Sequence, residues 1–278
     1  MPTGLTIASA VALGLLVGSF LNVVIHRLPR MLEREWAQAC DPAAESSDPS
    51  QAPYNLMHPP SACPACGHPI PWQQKLPVLS WLALRGRCRA CSARISARYP
   101  LVELATGAAF GYCAWRWGIT PAGAAWAAFS SVMLALAVID WETTLLPDGL
   151  TLPLVWGGLA AAALGWTGTN LNDALWGAIA GYTSLWSIYI AFKQATGKEG
   201  IGFGDFKLFA ALGAWLGWQA LIPVILLASL TGAATGLALK AAGRLREGGY
   251  VPFGPFLALG GLAGLVDGLR PLLRVLGL

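Results

Sequence analysis

Charge is scarce in this chain: Asp, Glu, Lys and Arg make up 12% of its 278 residues, where a soluble domain carries roughly 25%. That shortage, with 55% hydrophobic residues and a mean hydropathy of +0.56, excludes an ordinary soluble domain and predicts a polytopic membrane protein. The net charge of +4 is too small and too localised for a nucleic-acid surface. Of the 18 basic residues, 9 lie within 27–100, the bias expected of a cytoplasmic segment. A removable leader is also missing from the pattern. No basic segment precedes the apolar run 5–25 and no small-x-small site follows it, so this run is expected to stay as a membrane helix with its amino end outside. A nucleotide cradle is excluded as well, because the glycine-rich stretch 197–204 lacks a Lys-Ser/Thr ending and follows no buried strand.

Apolar sequence is abundant, in runs parted by short polar turns. Eight candidate spans cover 5–25, 101–117, 123–139, 150–166, 174–192, 206–218, 220–239 and 252–266. The expected fold is therefore an all-α membrane bundle of about eight helices with a small cytoplasmic insertion. Its partition is 1–26 as the first span, 27–100 as the insertion and 101–278 as the bundle. Residues 27–62 are expected to be irregular, with a short helical piece at 32–39 and a proline-rich loop over 41–60. The run 206–218 is short: 13 residues give roughly 20 Å against a hydrocarbon core of roughly 30 Å. Either that helix begins in a water-accessible cleft or the bilayer thins there, and both leave Asp205 reachable. Arg270 and Arg274 would fall outside, against the charge bias. The pairs Gly213/Gly217, Gly232/Gly236 and Gly260/Gly264 have the small-xxx-small spacing of close helix contacts. Asn22, near the inner end of the first span, either pairs with another helix or faces a polar cleft.

Four of the six cysteines form two pairs, Cys63-Pro64-Ala65-Cys66 and Cys88-Arg89-Ala90-Cys91. Two residues between thiols let one turn aim both sulfurs at one ion, and two such turns complete a tetrahedron. Zinc is the expected metal, in a closed structural site with no open coordination position. His68 could replace one ligand, but four cysteines suffice and it reads as a loop residue. The arginines 85, 87, 89, 94 and 98 hold this segment on the cytoplasmic side or meet anionic lipid.

Asp140 follows one apolar run and Asp205 precedes another, and the count of spans puts both at inner helix ends. Three accounts of the pair stand side by side: helix caps at the interface, proton coupling in a transporter, and acid/base hydrolysis. For hydrolysis, carboxylates within hydrogen-bond range share a proton, one activating water and the other donating to the scissile carbonyl. The helix amino end at Asp205 favours its ionised form, which makes it the base and Asp140 the acid, an order that bound substrate could invert. Gly202 and Gly204 let the loop bend tightly before Asp205. Lys207 pairs with a carboxylate or with a lipid headgroup. Asp148, just after Pro147, stands where an N-cap belongs and ranks behind Asp140 as a catalyst. Acids confined to inner ends argue against a transporter, which would carry polar residues at mid-membrane depth.

The ordered motifs resemble the type IV prepilin leader peptidases, also called bifunctional prepilin peptidase/N-methyltransferases. The resemblance runs from Gly18-Ser19-Phe20-Leu21-Asn22-Val23-Val24-Ile25-His26-Arg27-Leu28-Pro29 through the two cysteine pairs and Leu76-Pro77-Val78-Leu79-Ser80-Trp81-Leu82. It continues at Ile139-Asp140, Leu146-Pro147-Asp148 and Gly202-Phe203-Gly204-Asp205-Phe206-Lys207. It implies that Asp140 and Asp205 are the catalytic pair of a membrane aspartic protease in the bacterial inner membrane. The implied reaction removes the leader of type IV prepilins or type II secretion pseudopilins, cutting after a glycine at the cytoplasmic face. It further implies methylation of the new amino terminus by S-adenosylmethionine. The cysteine-bearing insertion matches the bifunctional branch, whereas Lys75 stands where relatives usually have Asn and leaves a peptidase without methyl transfer as the alternative. A structural subunit of a secretion machine would tolerate loss of both acids.

Overall fold

The computed structural model describes residues 3–40, 54–71, 74, 76–198, 200, 202–245, 250–267 and 274. The stretch 41–53 of the proline-rich loop, Lys75, Arg246 and Arg270 lie outside the described residues. Secondary structure among the described residues is helical, with no strand and only two isolated bridges, Ala62 with Pro69 and Arg87 with Arg94. Four helical segments are long and apolar enough to cross a membrane: Gly4–Cys40, Pro121–Thr143, Leu171–Thr196 and Trp218–Ala241. The chain divides into two compact units, Met1–Ile119 and Thr120–Leu278.

In the first unit, α1 (Gly4–Cys40) pairs with α3 (Arg98–Trp117), and the short α2 (Leu79–Ala83) lies between them in sequence. Glycines make the pairing close: a Cβ on Gly14 would lie 2.8 Å from the Gly107 backbone, and one on Gly18 would lie 2.7 Å from that of Glu103. The descending match of 14 with 107 and 18 with 103 makes the helices antiparallel. Asn22 continues the series, its Nδ2 donating to the Tyr99 carbonyl at 3.0 Å, so of its two expected roles it takes the interhelical one.

The irregular region expected from residue 27 is corrected here. α1 runs unbroken to Cys40 with Pro29 inside it. Proline removes one backbone donor and crowds the preceding turn, but residues 30–39 are dominated by Met, Leu, Glu, Arg, Ala and Gln, which favour helix. Arg27 secures the far side, donating to the carbonyls of Asn55 at 2.9 Å and Pro59 at 2.6 Å.

The second unit is built around α7 (Phe203–Leu216), packed by α6 (Leu171–Thr196), α5 (Asp148–Ala163) and α9 (Gly254–Leu265). α9 also contacts α4 (Pro121–Thr143) and α8 (Leu221–Ala241). Every residue of α7 from Asp205 to Trp215 except Lys207 is buried. Its 14 residues rise only about 21 Å, and because protein encloses the buried stretch, the helix need not match a bilayer. Gly213 of α7 and Gly177 of α6 meet backbone to backbone. Trp215 packs on Phe129 and Trp126, with ring centroids 4.9 and 5.3 Å away, and its Nε1 donates to the Leu154 carbonyl at 2.8 Å.

Candidate functional site

α4 begins on Thr120, whose hydroxyl accepts from the Gly123 N–H, and ends on Thr144 in the left-handed conformation at φ 61°. Asp140 lies in its last turn, inside the helix rather than beyond it, and is 4% exposed. Its Oδ2 accepts the N–H of Gly254, the first residue of α9, at 2.9 Å. Asp205 lies in the first turn of α7 and is 8% exposed. Its Oδ2 reaches back to the N–H of Gly202, the N-cap, at 3.3 Å, the acidic half of a capping box. Its Oδ1 is buried without a hydrogen-bond partner. The charge on Asp140 acts on Asp205, so the two carboxylates share one electrostatic neighbourhood although they stand 65 positions apart in the chain.

Leu146, in the connection from α4 to α5, touches both ends of this arrangement. A Cβ on Gly204 would lie 2.6 Å from the Leu146 Cβ, and one on Gly254 would lie 3.2 Å from its Cδ1. The glycines of the loop divide their work differently from the expected tight bend before Asp205. Gly197 has φ 71° and ends α6, whereas Gly202 has φ −78° in an extended conformation open to any residue. Gly204 is required for its lack of volume against Leu146.

Asp148 does not cap α5. The N-cap is Pro147, and Asp148 is the first helical residue, a favourable place for a negative charge. Its carboxylate takes Lys207 on both oxygens, at 2.6 and 2.7 Å. Lys207 therefore pairs with a carboxylate, and the one expected as a cap is its partner.

In the first unit the four thiols of Cys63, Cys66, Cys88 and Cys91 lie within 4.8 Å of one another. The two cysteine turns share one backbone pattern. Cys63 N donates to the His68 carbonyl and Gly67 N to that of Cys63; Cys88 N donates to the Ala93 carbonyl and Ser92 N to that of Cys88. In both, the residue four past the first cysteine is left-handed, Gly67 at φ 68° and Ser92 at φ 58°. The Cys63 and Cys91 sulfurs are 3.8 Å apart. A tetrahedron with Zn–S of about 2.3 Å has edges of about 3.8 Å, so these residues fit zinc. The backbone N–H groups of Cys91 and Ala90 bring the Cys88 thiol down to about 7. At Cys66 the His68 N–H pulls the same way, but the neighbouring Cys91, Cys63 and Cys88 thiols and burial push it up to about 12.

Near this cluster in sequence, Val78 adopts φ 59° and ψ −47° and donates its N–H to the Glu103 carboxylate at 2.7 Å. Along α1, a groove of about 360 Å³ is lined by Arg30, Glu33, Arg34, Ala37 and Tyr54. Arg34 already covers the Tyr54 ring at 4.1 Å, and two arginines face one glutamate. A cationic sulfonium donor does not fit there.

Sequence reasoning missed Gly254 and named Leu146 only as part of a motif, without a role. The signal was the run Pro252-Phe253-Gly254-Pro255 at the start of an apolar helix, a glycine between prolines where a side chain has no room.

Residues 12–117 match the model of the Bacterial Peptidase A24 N-terminal domain, and residues 127–237 match that of the Type IV leader peptidase family. Among curated relatives, a prepilin leader peptidase/N-methyltransferase of Stutzerimonas stutzeri is 50% identical over 260 residues, covering 93% of this chain and 90% of the relative. Proteins of the same name from Pseudomonas aeruginosa and Aeromonas hydrophila are 52% and 54% identical, covering 93% and 91% of this chain and 89% and 88% of theirs. No solved structure matches.

Proposed function

The chain belongs to the prepilin leader peptidase/N-methyltransferase family, and on that premise we propose that it removes the leader of type IV prepilins or type II secretion pseudopilins and methylates the new amino terminus. Asp140 and Asp205 are the hydrolytic pair in this proposal. One takes a proton from the attacking water while the other donates to the scissile carbonyl, and the roles exchange as the tetrahedral intermediate collapses. Gly202 and Gly204 shape the start of α7, and Lys207 with Asp148 braces it. The observation that carries the proposal is the pair of buried carboxylates on separate helices, each accepting a glycine N–H and each close enough to bear on the other's charge.

The proposed placement is the bacterial inner membrane, with 1–26 as the first span, 27–100 as a cytoplasmic insertion and 101–278 as the bundle. The helices α1 and α3 to α9 would make eight crossings, the short ones sheltered by their neighbours. The site would then stand at the cytoplasmic face, in contact with lipid and with the hydrophobic helix of the substrate. Zinc held by Cys63, Cys66, Cys88 and Cys91 would stabilise the insertion and take no part in cleavage. S-adenosylmethionine, implied by the relatives' name, supplies the methyl group.

The test is cleavage of a membrane-inserted prepilin by purified wild type, Asp140→Ala and Asp205→Ala, with methylation of a pre-cleaved substrate measured on the same preparations. Loss of cleavage in both variants with methylation retained is the expected result. Two variants that still cut would remove the pair from the mechanism.

A further inference from the structure

We infer that Gly254 is a positioning residue for Asp140, its N–H and its missing side chain together setting where that carboxylate stands. The inference rests on Asp140 and Asp205 being the hydrolytic pair and adds a part that neither aspartate motif contains.

An aspartate on a helix has several staggered rotamers, and a donor from another element can choose among them. In this fold it comes from α9: the N–H of Gly254 donates to Asp140 Oδ2 at 2.9 Å across 114 residues of chain, in a buried setting. The first N–H groups of a helix have no intrahelical acceptor, so this donor is free to serve. Pro255 follows in the next position and has no N–H to offer. At Asp205 the corresponding bond is local, from Gly202 three residues back, so α9 contributes to one carboxylate only.

Space restricts this position as strongly as the hydrogen bond does. A Cβ at 254 would lie 2.6 Å from Asp140 Oδ2 and 3.1 Å from its Cγ. Those atoms are the carboxylate itself, held in place on a helix, and not the far end of a flexible chain. Gly254 is not among the glycines at positive φ, so conformational freedom does not explain it. Any larger residue must displace the carboxylate, and misplacing a reacting group by about 1 Å can cost about a hundredfold in rate.

The experiment compares full-length Gly254→Ala, Gly260→Ala, Asp140→Ala and wild type in steady-state prepilin cleavage, with methylation of pre-cleaved substrate alongside. Gly260 lies on the same helix, and its Cβ would meet Val224 Cγ1 at 2.9 Å. Its alanine variant therefore disturbs α9 packing without touching Asp140. Gly254→Ala is expected to lose about a hundredfold in kcat with KM within about twofold, and to keep methylation and its unfolding temperature, while Gly260→Ala keeps kcat. A Gly254→Ala enzyme within about threefold of wild type overturns the inference, as does an equal loss in Gly260→Ala. If Asp140→Ala still cleaves, the hydrolytic pair fails first and this inference with it. If Asp140→Ala is inactive and Gly254→Ala is not, only this inference falls. Hydrogen exchange on wild type and Asp140→Ala covers the case in which Gly254→Ala does not fold. The Gly254 amide should exchange faster once its acceptor is removed, and an unchanged rate also overturns the inference.

Discussion

Lys207, the fifth residue of α7, reaches to Asp148 in the first turn of α5 and donates to both carboxylate oxygens, at 2.6 and 2.7 Å. It stands two positions after Asp205, so this ion pair braces the helix start that carries that aspartate. The two side chains are 26% and 57% exposed, and solvent screens their attraction to at most about 1 kcal/mol of stability.

The expected consequence is a rate effect without a folding effect. Lys207→Met should shift the unfolding temperature by no more than about 4 °C while lowering prepilin cleavage several-fold. The charge-reversed double variant Lys207→Asp with Asp148→Lys should recover part of the loss. Cleavage assays on the two single variants and the double decide it. Equal rates in all of them would mean that the pair is a surface contact of no functional consequence.

Metal removal should act on the first unit. One zinc per chain is expected by elemental analysis, and Cys88→Ser or chelation should release it and lower the unfolding temperature of Met1–Ile119. The pH dependence has a definite sign. Zinc binds thiolates, so with the metal-free Cys66 thiol up at about 12 the ion must displace a proton, and affinity rises between about pH 6 and about pH 8. Cys88, down at about 7, surrenders its proton more readily over the same range. Affinity that stays flat across that interval would exclude four thiolate ligands.

Much of this was legible in the sequence where the signal is local. The cysteine spacing picked out the four thiols that gather within 4.8 Å, and Asp140 and Asp205 stood out because the count of spans puts both at inner helix ends on one side. Helix α1 past Pro29 was misread because proline usually ends a helix, and the favourable propensities of the next ten residues outweighed it. Asp148 was read as a cap because it adjoins Pro147, whereas its partner Lys207 lies 59 residues away. Gly254 shows the limit most clearly: a close approach between elements 114 residues apart has no local pattern beyond a glycine among prolines.

Val78 should be improvable by substitution. A β-branched residue at φ 59° is strained by roughly 1 to 3 kcal/mol, while its N–H bond to Glu103 is made by the backbone and survives any side-chain change but proline. Val78→Gly is therefore expected to raise the unfolding temperature, measured on the zinc-loaded protein. A fall would mean that packing of the half-buried isopropyl group exceeds the strain.

The small-xxx-small pairs can be ranked by what a methyl group would strike. Gly213 faces the backbone of Gly177, so Gly213→Ala must push α7 off α6. Backbone cannot rotate aside, and the cost should reach about 2 to 3 kcal/mol, at the upper end of overpacking. Gly217 sits past the end of α7 at φ 83°, so its spacing from Gly213 is coincidental to helix contact. A Cβ on Gly232 would stand 3.3 Å from the Phe256 ring, a side chain that can yield by a few tenths of an ångström, and Gly232→Ala should cost less than about 1 kcal/mol. Thermal unfolding of the two alanine variants in the same detergent tests the ranking. Equal unfolding temperatures would mean that α6 and α7 have slack at their crossing, and the close packing around α7 would then not be what fixes the direction in which Asp205 points.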